Sequence, residues 1–191
     1  MHYNGFNSEP FDIVSGVPQG SNLGPLLFVL FLNPLFDRLS CNVLAYADDL
    51  KLYAEILTDN DVVKLQEDIN ILCTWCANNS LILNAGLCKV LTYSKSNSPS
   101  QGKYFIDGVC LPVVNQIKDL GVIFTANLNF TTHISEVALN CSKLLGFIIR
   151  NTSEFKETDA MKALYFSFIM SRLEYASDMA ALYGFRCFTA L

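Results

Sequence analysis

Two neighbouring acids, Asp48 and Asp49, interrupt an otherwise apolar stretch, NVLAYADDLKLYAEI. Adjacent carboxylates in such surroundings repel each other and lose hydration, so they need compensation. Divalent cations supply it, because Mg²⁺ prefers carboxylate oxygens and keeps its other positions for water or phosphate. Two such ions about 3.5–4 Å apart can activate an attacking hydroxyl and stabilise a leaving oxygen in phosphoryl transfer. An isolated Asp-Asp is more often a solvated turn. Tyr46 and the apolar flanks weaken that plainer reading without overturning it. Upstream, SGVPQGSNLGP places Gly16, Gly20 and Gly24 where backbone can approach a ligand closely, ahead of a helix whose first N–H groups could face an anion. The segment lacks the Gly-Lys-Ser/Thr ending of a phosphate loop and the dinucleotide fingerprint. Taken alone it reads as a loop and a helix cap. Other candidates are weaker. Cys73-x-x-Cys76 has no second pair at zinc spacing, and two histidines, His2 and His133, make a Ser-His-Asp triad unpromising. The spacing of Tyr165, Phe166 and Phe168 predicts core rather than a stacking platform.

These residues need elements to hold them. NVLAY and LKLYAEI are strand-like runs joined by Ala47-Asp48-Asp49, which predicts a tight β-hairpin with the acids at its tip. Phe11–Ser15 predicts a short strand, and Gly16–Gly20 a turn. Ser21 or Asn22 can cap a helix with Pro25 in its first turn. LLFVLFL is apolar all round and predicts a buried helix that Pro34 kinks or ends. Asp59 or Asp61 can cap a second helix, with Val62, Leu65, Ile69, Leu72 and Cys76 as its inner stripe and Lys64, Glu67 and Asp68 off it. LILN, VLTYS, KYFIDGVCLPV and DLGVIF predict strands, with a hairpin at Asp107-Gly108. Helices are expected over about 132–150 and 158–176. The fold class is therefore α+β: β-rich in the middle, helical behind.

The chain has 191 residues, 51% of them hydrophobic and 16% charged. That is enough to bury a core and excludes wholesale disorder. Thirteen basic residues against 18 acidic give a net charge of −5, which counts against a free-standing nucleic-acid binder unless basic surface lies elsewhere. No run reaches the length of a membrane helix. Seven scattered cysteines read as reduced thiols of an intracellular protein.

Together, SGVPQGSNLGPLLF and the following AYADDLKLY resemble the reverse transcriptases of non-LTR retrotransposons, particularly the jockey-like elements. WCANNSLILN, CKVLTYS, IKDLGVIFTANLNFTTHI, CSKLLGFIIRN and LYFSFIMSRLEYAS are similar to the segments that follow in that family. The resemblance implies a partial polymerase palm over 1–125, an antiparallel sheet backed by helices, and the start of a helical thumb over 126–191. It implies an RNA-directed DNA polymerase that adds deoxynucleotides to a primer 3′-hydroxyl, with RNA template and DNA primer as partners and two Mg²⁺ ions as cofactors. Asp48 and Asp49 then correspond to the catalytic metal ligands. Tyr46 and Ala47 lie beside the primer terminus, Leu120 and Gly121 form the primer grip, and Gln19, Gly20 and Ser21 face the incoming nucleotide and template. The parent enzymes are expected to act on chromosomal DNA. Three departures follow. The family's other metal-binding aspartate and the basic fingers precede the glycine-rich motif and are expected to be missing, Glu9 and Asp12 being misplaced to substitute. Lys89 stands displaced from a usual lysine, and Asn33-Pro34 replaces the usual Asn-Asp. The isolated chain is thus expected to be inactive. The alternative is a relic or co-opted interaction module that does no chemistry.

Overall fold

The computed structural model describes residues 2–3, 6–7, 16–17, 20–94, 102–154, 157–176 and 189–190. The strand expected at Phe11–Ser15 lies outside these residues. Strands β1 (His2–Tyr3) and β2 (Phe6–Asn7) form a small antiparallel pair. Helix α1 (Gly24–Phe36) follows the glycine-rich segment. Neither Ser21 nor Asn22 is its N-cap: Leu23 holds that position, and Pro25 takes the first turn as expected. Ser21 acts one step earlier, its Oγ accepting from Leu23 N–H at 3.3 Å and its carbonyl from Gly24 N–H at 3.2 Å. Pro34 does not end the helix, which runs on to Phe36.

The predicted hairpin forms from β3 (Asn42–Tyr46) and β4 (Asp49–Ala54), antiparallel from Asn42 opposite Tyr53 to Tyr46 opposite Asp49. Helix α2 (Asp59–Asn78) comes next. Its N-cap is Thr58, not either aspartate. Asp61 instead reaches back, its Oδ2 accepting from Leu57 N–H, Thr58 N–H and Thr58 Oγ1 at 3.1, 2.9 and 2.8 Å. That is the carboxylate half of a capping box. LILN is coil rather than a strand. VLTYS supplies β5 (Val90–Thr92). Strands β6 (Phe105–Ile106) and β7 (Val109–Cys110) close over Asp107-Gly108, both at positive φ, as the sequence predicts. Then come β8 (Val113–Val114), β9 (Gln116–Asp119) and β10 (Val122–Thr125). DLGVIF is therefore not one strand, because Leu120-Gly121 turns the chain back on itself.

A five-stranded sheet has the order β3-β4-β11-β5-β8, where β11 is Thr189–Ala190. It is not wholly antiparallel, since β5 and β8 run parallel. Side chains alternate across a strand. Leu50, Leu52 and Ala54 of β4 face the helices, and Leu52 is fully buried. They pack with Leu32 and Leu35 of α1 and with Leu65, Ile69, Leu72, Trp75 and Cys76 of α2. Asp49, Lys51 and Tyr53 take the opposite face, with Tyr46, Leu44 and Asn42 across from them. α1 is not buried all round: Leu26, Leu27, Val29, Leu30 and Phe31 are 41–55% exposed. The stripe through Phe28, Leu32, Leu35 and Phe36 reaches the core, since a helix lying on one surface can bury only one face, and Phe31 touches its edge with its ring 5.2 Å from that of Trp75.

The rear is helical, as read. Helix α3 (Thr131–Asn151) is followed by α4 (Thr158–Tyr165), a π-helical turn (Phe166–Met170) and α5 (Ser171–Glu174). A second cluster of Cys141, Ile148 and Ile169, with Val137, Leu144, Met161 and Leu164 against it, holds them together. Tyr165, Phe166 and Phe168 are 40–60% exposed and are not core. The inward places on this segment go to Met161, Leu164 and Ile169 instead.

Candidate active site

The two residues between Tyr46 and Asp49 are Ala47 and Asp48, so β3 and β4 are joined by the tightest common hairpin loop. Such loops need a positive φ at their first position, and Ala47 takes φ +52° without being glycine. A non-glycine residue held there stores strain of about 1 kcal/mol or more, and such strain concentrates at working sites. Asp48 sits in the loop and Asp49 opens β4; both are exposed. Tyr46, 63% exposed, stands opposite Asp49 on the same face. The tip thus offers two carboxylates, an aromatic ring and open space.

The base of this hairpin is fixed. Asp68 of α2, only 3% exposed, points at the residues that enter β3. Its carboxylate accepts from Ser40 N–H at 2.9 Å, Ser40 Oγ at 2.8 Å and Cys41 N–H at 2.8 Å. Burial, and after it the Asp68 carboxylate, push the Cys41 thiol up to about 12. Asp68 was expected off the inner stripe. It lies three residues after Leu65 and four before Leu72, so the helical period already placed it on the buried face.

The Leu120-Gly121 segment is, like Ala47-Asp48 and Asp107-Gly108, a two-residue hairpin loop, with Asp119 opposite Val122. Leu120 takes φ +44° and Gly121 φ +85°, the pattern of a type I′ turn. Lys51 Nζ, on the solvent face of β4, donates to Asp119 Oδ2 at 2.5 Å. Tyr175, just after α5, donates its hydroxyl to the Leu120 carbonyl at 2.7 Å. On the ribbon's other side Lys118 meets Glu136 of α3 at 2.8 Å. His133 packs at the start of α3, as expected, where its Nδ1 accepts from Ile123 N–H at 3.4 Å. The sequence reading missed Lys51, Asp119 and Tyr175. Period-two alternation from Asp49 could have flagged Lys51, whereas nothing local marks Tyr175.

The structure therefore describes Tyr46, Ala47, Asp48 and Asp49 at one tip and Leu120 and Gly121 at another, cross-linked through Lys51. Gly20 is exposed at φ +81° and Ser21 is half-buried before α1, while Gln19 lies outside the described residues. Two exposed carboxylates suit Mg²⁺, which binds through one or two of them and fills its shell with water and phosphate. Among the described residues no group of three or more His, Cys, Asp or Glu could hold a metal. The Cys73 and Cys76 thiols are free, as are all the described cysteines. No described helix is long and apolar enough to cross a membrane. A cleft of about 430 Å³ between α3 and α4, lined by Leu145, Ile148, Met161 and Phe166 among others, includes none of the site residues.

The family description "Reverse transcriptase (RNA-dependent DNA polymerase)" matches residues 2–147. The chain is 31% identical over 136 residues to "RNA-directed DNA polymerase from mobile element jockey" of Drosophila funebris, covering 65% of this chain and 14% of that protein. It is 31% identical over 147 residues to "Probable RNA-directed DNA polymerase from transposon BS" of Drosophila melanogaster, covering 70% and 16%. The jockey protein of Drosophila melanogaster is 27% identical over 146 residues, covering 70% and 15%. The chain thus spans about one seventh of the length of these relatives. No solved structure matches it significantly.

Proposed function

The chain belongs to the reverse transcriptase family, and on that premise we propose that it forms the metal-holding and primer-contacting part of the RNA-directed DNA polymerase of a non-LTR retrotransposon. Residues 1–125 would be palm and 126–191 the start of the thumb. The reaction is template-directed addition of deoxynucleotides to a primer 3′-hydroxyl on an RNA template. The observation that carries this reading is the exposed Asp48-Asp49 pair on a strained two-residue turn, downstream of the glycine-rich segment.

Asp48 and Asp49 would hold Mg²⁺. When bound, the ions would lower the charge on the triphosphate and make the primer hydroxyl a better nucleophile. The rest falls to the chain itself, since phosphoryl transfer is mostly positioning and charge stabilisation. Tyr46 offers an exposed ring on the face of Asp49, against which a terminal sugar or base can rest. Ala47, with its small side chain, leaves the backbone of the turn open to the primer end. Leu120 and Gly121 present a backbone turn, held by the Tyr175 hydroxyl, that can bear on the primer strand. Gln19, Gly20 and Ser21 would lie along the incoming nucleotide and template. The basic surface for the template would come from other parts of the polymerase, since this stretch is net acidic.

A jockey polymerase in which the matching segment is replaced by this chain's residues tests the reading. Primer extension on an RNA template is expected, lost in Asp48→Ala. A chimera that folds yet extends no primer, or one indifferent to Asp48, counts against it. The isolated chain is expected to extend no primer, since two tip carboxylates form only part of a site. A second reading, a non-catalytic relic or interaction module, draws on the bare apolar face of α1, the kind of patch that binds or aggregates. It predicts an inactive chimera and self-association that Leu30→Lys suppresses.

A further inference from the structure

Lys51 and Asp119 lie 68 positions apart in sequence, on different hairpins, yet form the only ion pair among the described residues in which both partners are mostly shielded from water. Their side chains are 22% and 24% exposed. Tyr93, just beyond β5, lies close enough that burial, and after it the Asp119 charge, push its hydroxyl up to about 12. A pair in such surroundings is screened less than a surface pair. Its position along each strand is what matters. Lys51 is two residues from Asp49 on the same face of β4. Asp119 immediately precedes Leu120. A path from the acidic turn to the second turn therefore runs Asp49–Leu50–Lys51, across one ion pair, then Asp119–Leu120. The Tyr175 hydroxyl also holds the Leu120 carbonyl, and its ring lies 3.4 Å from where a Cβ on Gly121 would stand.

We propose that Lys51 and Asp119 form a strut, clamped by Tyr175, that fixes the Leu120-Gly121 turn relative to the Asp48-Asp49 turn and so sets where a primer end can lie between grip and metal. Lys51, Asp119 and Tyr175 are positioning residues: they touch the turns rather than the reacting atoms. The functional half rests on the primer-contacting role proposed above. The structural half does not.

Amide hydrogen exchange on the full chain, without metal or nucleic acid, tests the strut. Lys51→Asp and Asp119→Lys are each expected to raise exchange across 116–125 about fivefold, as loss of a partly shielded pair should. The charge-swapped double variant is expected to restore it, and α2, residues 59–78, to stay unchanged throughout. Tyr175→Phe should speed exchange in the same segment to a smaller degree. Single variants that exchange like the wild type overturn the proposal, as does a double variant that stays fast. Faster exchange in α2 as well would mean the pair supports the whole fold, and the strut fails again. Binding of a DNA-primer/RNA-template duplex by the jockey chimera carrying the same variants, followed by fluorescence anisotropy, forms the second arm. Weaker binding by each single variant and recovery in the swap support the primer half. A folded chimera that keeps Lys51 and Asp119 yet has no duplex affinity contradicts the proposed function, while the exchange result still decides the strut.

Discussion

The two hairpins are built alike and held in different ways. Each closes with a two-residue loop whose first residue is a non-glycine at positive φ, Ala47 in one and Leu120 in the other. The β3–β4 hairpin is fixed at its base, by Asp68 under Ser40 and Cys41 and by Leu52 in the core, and its acidic tip is open. The β9–β10 ribbon, anchored along its length by the buried Val122 and Ile123 and by Lys118 against Glu136, is held at its tip as well, by Lys51 and Tyr175. A turn that must receive cations needs its carboxylates bare, so rigidity has to come from below. A turn that offers backbone and a leucine side chain can be braced at the tip itself, because its working atoms are not charges that must stay hydrated.

Substitutions at unequal depth should break this contrast by unequal amounts. The largest effect belongs to the open tip: Asp48→Ala in the jockey chimera should lower primer extension by on the order of a thousandfold, measured in single turnover, with folding intact. Next comes the hidden base. Asp68→Ala leaves two N–H groups without their acceptor and should cost about 3 kcal/mol in urea unfolding. It should also make Cys41 easier to alkylate, because one of the two main causes of its raised thiol pKa disappears. A smaller change of opposite sign is expected at the strained loops. Ala47→Gly and Leu120→Gly should each stabilise by about 0.5–1 kcal/mol, since relief of the left-handed backbone outweighs the added chain entropy. If Ala47→Gly stabilises while weakening metal binding, strain in that turn serves the site.

The smallest effect lies away from both tips, at Asp61. Hydrogen bonds from Thr58, side chain first, hold its carboxyl below the ordinary value. A group depressed in the folded state stabilises above its unfolded pKa and loses that contribution as pH falls through the folded one. The start of α2 should therefore loosen only in acid, below the usual carboxylate range, and Asp61→Asn should remove that pH dependence from the NMR shifts of Leu57 and Thr58.

Much of this was legible in the residues. The strand-like runs NVLAY and LKLYAEI announced the hairpin, although only Ala47-Asp48 forms its loop and Asp49, expected at the tip between the strands, already opens β4. The three-four stripe from Val62 to Cys76 picked out the buried face of α2, and Asp107-Gly108 announced its turn. Where the reading failed, a non-local contact or a competing local preference decided. LLFVLFL looked buried because composition cannot say how much surface is available to cover it. Leu120-Gly121 looked like strand because apolar residues flank a single glycine, yet a leucine at positive φ is sustained by Tyr175, 55 positions away. Asp68 was taken for a solvent residue because charge was weighed above period. The site acids were visible from chemistry; the residues that brace them were not, because their partners are distant in sequence.

Manganese binding at the acidic tip is the most direct measurement. With the ¹⁵N-labelled chain, substoichiometric Mn²⁺ should broaden the amide signals of Ala47, Asp48, Asp49 and Leu50 first, and excess Mg²⁺ should reverse it. Asp48→Asn with Asp49→Asn should abolish the effect while leaving the α2 signals in place. Broadening centred elsewhere, or unchanged in the double variant, would contradict a metal-holding turn.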